Sequence, residues 1–104
     1  MTGNCLLITE MMYVRIIQID LSIPGAQSLK DKRQVLRSLI TRLRQKFNIA
    51  VVEAAHQDEW QRAELGVAAL AGQPALLESI QQEIMKLIER EYPVEITGIE
   101  INDF

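Results

Sequence analysis

Apolar and polar residues alternate along residues 12–23, where Ile17, Ile19, Leu21 and Ile23 are separated by Gln18, Asp20 and Ser22. A period of two is that of a strand with one buried face, and Pro24-Gly25 ends it. The period then changes. Leu29, Leu36, Leu39, Ile40, Leu43 and Phe47 share one side of a helical repeat, and no Pro or Gly interrupts residues 28–47. Ser28 with Asp31 resembles a capping box with Asp in place of Glu. Asn48, which tolerates left-handed backbone, stops the helix. Residues 49–55 and 62–71 read as the second and third strands, joined through the polar turn His56–Gln61, and this close spacing implies an antiparallel hairpin. Gln73-Pro74 opens a second helix, with Pro in the first turn, where its missing N–H costs little. Its Leu76, Leu77, Ile80, Ile84, Leu87 and Ile88 span an arc of about 120°. Pro93 ends it, and residues 94–101 form the last strand, with a phase slip at Thr97-Gly98 of the kind a β-bulge produces.

The order is therefore β-α-β-β-α-β, with one apolar stripe on each helix. Both stripes are buried if the helices cover one face of a four-stranded antiparallel sheet, the ferredoxin-like α+β arrangement, with strands one and three side by side in the centre. Ile17, Ile19, Leu21, Leu65, Val67 and Ala69 then face the helices. The opposite face is apolar around Val14, Ile16, Ala68 and Leu70, the candidates for an interface with a second copy of the chain. The alternative is a mixed face covered by solvent. The third strand has no aromatic residue, and Tyr13 is the sole aromatic of the first. Base stacking on this sheet is thereby disfavoured, so any nucleic-acid contact runs through phosphates.

A chain of 104 residues is the size of one domain. The pattern assigns residues 12–104 to it and leaves residues 1–11 as an N-terminal extension, disordered or upstream of a true start at Met11 or Met12. The short apolar patch Cys5–Ile8 lacks the basic flank of a signal sequence, no run of 18 apolar residues exists, and the expected location is the cytoplasm. One cysteine excludes an internal disulfide and a CxxC metal or redox motif. A net charge of −3 and a pI near 5.1 argue against nucleic-acid binding by bulk charge.

That acidic average hides a local excess. Seven of the eleven basic residues, Lys30, Lys32, Arg33, Arg37, Arg42, Arg44 and Lys46, lie in the first helix with one acid, Asp31. Lys30, Arg33, Arg37 and Arg44 fall within about 60° of one another at 100° per residue, flanking the apolar stripe. Lys32 and Lys46 flank the other side. A charge run of this kind is commonly a solvated face whose stems cover the core. No glutamates compensate it at i+4, and arginine forks suit phosphate. Lys30, Lys32, Arg33, Arg37 and Arg44 are accordingly the candidates for binding RNA, a ribonucleoprotein or another anionic surface. Pairing with Glu95, Glu100 and Asp103, or with the acids of the second helix, across a homodimer is a third option.

The hairpin tip gathers His56, Gln57, Asp58, Trp60, Gln61 and Arg62, including the only His and the only Trp. A tryptophan in a loop marks a contact surface; otherwise its ring packs over the sheet edge or under a helix end while the polar groups satisfy the turn. Glu53, His56 and Asp58 are a weak metal signal at this spacing, and no metal is assigned. No nucleophile with a paired base and no P-loop or GxGxxG occurs, so no catalytic residue, cofactor or small-molecule substrate is assigned.

Leu21-x-x-Pro24-Gly25-Ala26-x-Ser28-Leu29-Lys30-x-Lys32-Arg33, Lys46-Phe47-Asn48, Glu53, and His56-Gln57-Asp58-x-Trp60-Gln61-Arg62-Ala63-x-Leu65-Gly66-Val67-Ala68 together resemble the YlxP-like bacterial family of unknown function. The resemblance covers about residues 12–101. It implies a ferredoxin-like fold and no established activity. In some bacteria such genes lie beside translation-initiation and ribosome-maturation factors, which implies a role near the ribosome.

Overall fold

Alternation in the first segment becomes strand β1 (Tyr13–Ser22), followed by α1 (Leu29–Lys46), β2 (Ile49–Ala55), β3 (Arg62–Ala71), α2 (Pro74–Glu91) and β4 (Glu95–Asp103). These elements come from a computed structural model that describes residues 12–104. The extension assigned to residues 1–11 lies outside the described residues. The four strands form one antiparallel sheet in the order β2-β3-β1-β4, the ferredoxin-like arrangement expected from the pattern.

Register decides which residues meet the helices. Ile17 stands opposite Val67 and Ile19 opposite Leu65. These four pack with Leu36, Leu39 and Leu43 of α1 and with Ile84, Leu87 and Ile88 of α2 in one buried cluster. Each such aliphatic side chain contributes about 1.5–3 kcal/mol on full burial, which holds both helices to the same side of the sheet. Leu76, at the margin of its helical arc, stays 51 % exposed, and Leu77 takes the buried place. On β4, Ile101 and Ile99 face Ile17 and Ile19, yet remain partly exposed on this edge strand.

The ends of α1 differ in detail from the expectation. Ser28 Oγ accepts a hydrogen bond from the Asp31 backbone N–H at 3.1 Å. Asp31 Oδ2 accepts from Gln27 N–H at 3.0 Å, so the return bond reaches one residue further back than in a capping box. Asn48 is not the left-handed stop: the helix ends with Phe47 extended, its N–H still donating to Leu43 O. The one non-glycine residue with positive φ among the described residues is His56, at φ 66°. The β4 bulge lies where the phase slip put it, since Asp20 faces Gly98 while Leu21 faces Ile96, leaving Thr97 over.

Candidate functional site

The cationic helix divides into buried and free parts. Lys32 is fully buried, which removes it from the anion-binding candidates. It lies four, seven and eleven residues before Leu36, Leu39 and Leu43, a spacing that places it within the buried stripe and not beside it. Its Nζ donates to the carbonyl oxygens of His56 (2.5 Å), Glu59 (2.7 Å) and Arg62 (3.0 Å). The N-terminal part of α1 thus threads an ammonium into the hairpin tip and gives a donor to three of its backbone carbonyls, of which that of His56 also accepts from the Glu59 N–H.

The tip is tied down at other points. Gln61 Nε2 donates to Ala26 O at 3.1 Å and Pro24 O at 3.3 Å, and Ile23 N–H donates to Gln61 O at 2.9 Å, which joins the β1–α1 connection to the hairpin. Gln57 Nε2 donates to Glu53 O at 3.3 Å. Gln57 and Gln61 therefore serve the turn. Trp60 is 53 % exposed, beside a shallow hollow shared with Asp58, Glu59, Gln61 and Arg62. His56 is half-buried, with Glu59 Oε2 2.5 Å from Nδ1 and an Arg62 guanidinium nitrogen 3.4 Å from Nε2.

Among the described residues no ion pair or side-chain hydrogen bond involves Lys30, Arg33 or Arg37, and all three are exposed. Arg44 is exposed but donates to Val51 O at 2.6 Å, capping the edge strand β2. Arg42 pairs with Glu91 at 3.4 Å, and Lys46 lies 5.8 Å from the Phe47 ring centroid. Arg37 and Arg42 line an open hollow of about 400 Å³ with Gln34, Ser38, Thr41 and Tyr92. Ser38 and Tyr92 hydroxyls meet there at 3.1 Å.

The opposite side of the sheet carries Val14, Ile16, Ala68 and Leu70, as the alternation implied. Leu70 is 55 % exposed and Val52 of β2 is 59 % exposed. A shallow groove of about 270 Å³ runs between Ile16, Ala50, Val52, Gly66 and Ala68. At its floor, a Cβ on Gly66 would approach Val52 Cγ2 to 3.4 Å.

Two constellations escaped the sequence reading. Arg15 shares the helix-side face with Ile17 and binds both carboxylate oxygens of Asp103, at 2.7 and 2.9 Å, with Glu78 Oε2 and Gln81 Oε1 each at 2.7 Å. The hydrogen bond to Asp103 is the largest cause raising the Arg15 pKa, and its counterpart holds the Asp103 carboxyl below its ordinary value. Asp103 thus pairs within its own chain, with Arg15 and not with the basic helix of a second copy, the third option above. The signal was an arginine in phase with Ile17, Ile19 and Leu21. Second, Glu53, His56 and Asp58 do not converge, because Glu53 turns to Lys32 at 3.0 Å. His56 instead approaches Asp20 and Glu64, with ligand-type atoms within 4.8 Å of one another. Only the strand register discloses that proximity.

Comparison with known proteins adds identity without activity. Residues 14–101 match the family described as "Protein of unknown function (DUF503)". The chain is similar to "Uncharacterized protein YlxP" of Bacillus subtilis (strain 168), with 39 % identity over 64 residues, 62 % of this chain and 70 % of that one. Among solved structures it is similar to the de novo designed protein Foldit4, with a TM-score of 0.51 and 15 % identity over 89 % of this chain and 96 % of that one. That likeness speaks to fold alone. The designed protein LFR1 1, described as having a ferredoxin fold, has a TM-score of 0.47 and 13 % identity over 88 % and 82 % of the two chains.

Proposed function

Because the chain belongs to the DUF503 family, whose description names no activity, we propose a function from its surface: a non-enzymatic, cytoplasmic binding module that holds the phosphates of RNA or a ribonucleoprotein against α1. The observation that carries this reading is the exposed row Lys30, Arg33 and Arg37, without internal partners among the described residues, on a chain of net charge −3. A cation with no acid nearby loses less by changing its solvent for phosphate than one already paired. Arg44 extends the row at the cost of its bond to Val51 O. The side chains of Gln34, Ser38 and Thr41, along the adjoining hollow, offer hydrogen bonds to sugar and phosphate oxygens.

The test is a pull-down from cell lysate with and without nuclease, followed by filter binding of single-stranded RNA. Loss of all partners on nuclease treatment, and loss of binding in Arg33→Glu/Arg37→Glu, is the expected result. Binding that ignores salt, or survives the charge reversal, refutes the reading.

A second reading rests on the apolar groove and the exposed Val52 and Leu70: a homodimer joined through the open sheet faces. Light scattering across concentration separates the two readings.

A further inference from the structure

Asp20 of β1 and Glu64 of β3 are direct cross-strand partners on the open face. Like charges placed opposite each other weaken a strand pair, and among the described residues no ion pair involves either carboxylate. A third donor arrives from the hairpin. The register shift between Glu53 and Ala55 sets Ala55 opposite Glu64, and the left-handed backbone of His56, at φ 66°, follows. One imidazole nitrogen, one Asp20 oxygen and one Glu64 oxygen then lie within 4.8 Å of one another.

The surroundings suit a cation. Glu59 Oε2, 2.5 Å from Nδ1, holds the ring with its proton on Nδ1 and leaves the Nε2 lone pair for a ligand. The Arg62 guanidinium, 3.4 Å from Nε2, is the competing charge, and its side chain is 62 % exposed and leaves no buried gap on moving away. Gly98 stands opposite Asp20, where an added Cβ would come within 3.0 Å of Oδ2. The bare backbone leaves that carboxylate its position.

We propose that Asp20, His56 and Glu64 bind a divalent transition cation, zinc by best fit, with water completing its shell. One imidazole and two carboxylates are borderline donors of the kind zinc accepts, whereas magnesium and calcium prefer oxygen throughout. Zinc bonds of about 2.0–2.2 Å place tetrahedral donors roughly 3.4 Å apart, a closure within reach of side-chain rotation. The site lies on the sheet face away from α1 and is independent of the phosphate-binding reading.

The experiment is calorimetric titration of the full chain, in a Cys5→Ser background that removes the lone thiol, with zinc chloride and separately with magnesium chloride. NMR of the only histidine is a second readout. Expected are one equivalent of zinc, displacement of the His56 imidazole signals, and no saturation by magnesium. Asp20→Asn/Glu64→Gln weakens binding by about tenfold or more, as does His56→Gly, which the positive φ accommodates. Asp58→Asn binds as the parent does. Absence of saturable zinc binding, unmoved His56 signals, or equal affinity in the double variant overturns the proposal.

Discussion

The Lys32 ammonium lies 3.0 Å from Glu53 Oε2, yet its three protons are directed to the carbonyls of His56, Glu59 and Arg62. An ammonium has three donors and no more. Glu53 Oε2 therefore receives charge without a hydrogen bond, consistent with its being buried and without a hydrogen-bond partner. The pair neutralises a cation that the helix drives into the interior, and the carbonyls fix where it sits.

Lys32→Met is expected to destabilise the fold by about 3–5 kcal/mol, because it leaves a partly buried carboxylate without its cation and takes a charged donor from three carbonyls at once. Glu53→Gln costs less, since all three proton bonds survive. Urea denaturation of both, beside Arg33→Met, which changes stability by about 0.5 kcal/mol or less, measures the contrast. Equal midpoints for Lys32→Met and Arg33→Met would contradict the assignment.

Residue periods carried most of the fold. Ile17, Ile19 and Leu21 announced the buried face of β1, and the slip at Thr97-Gly98 announced the bulge, because both are local consequences of side-chain direction. Lys32 was legible in principle from its phase with Leu36, but its residue type pulled the assignment toward solvent. Asp20, His56 and Glu64 belong to three different segments, and their meeting depends on register and on one bulge in β2. No periodicity within a single segment encodes that.

Asp103 titrates below its ordinary value, chiefly because Arg15 donates hydrogen bonds to its carboxylate. A carboxylate with a lower pKa folded than unfolded adds stability that is complete above the unfolded value of about 3.9 and is lost as pH falls through the folded value. The stability difference between the parent and Asp103→Asn should therefore shrink as pH falls below about 4. The Asp103 side chain is 54 % exposed, so added salt should shrink the difference as well. Chemical denaturation between pH 6 and about 2 follows the first effect, and the Asp103 carboxyl resonance gives the titration directly.

If Lys30, Arg33 and Arg37 are the phosphate contacts, the salt dependence has a set size. Single-stranded RNA releases about 0.7 counterion per phosphate neutralised, so three contacts give a log–log slope near −2 and roughly a 20-fold loss of affinity between 50 and 200 mM salt. Arg37→Gln should weaken all RNA sequences alike and reduce the slope by about 0.7. A slope near zero would place the contact elsewhere.

The open face supplies the last prediction. Ile16 lies in the groove between Val52 and Ala68, and its partner across the strand pair is Ala68. An aspartate there adds a charge to a surface that water already reaches, so the monomer keeps its fold, with a stability change of about 1 kcal/mol or less. Between two such faces the same charge would be buried twice about a two-fold axis, without a counter-ion, and that is strongly unfavourable. Ile16→Asp is accordingly expected to scatter light as a monomer at every concentration, whereas the parent chain, on the dimer reading, gains mass as it is concentrated. A parent that stays monomeric would set that reading aside and leave the groove as solvent-covered sheet. A variant that still associates would show that the copies meet through another surface.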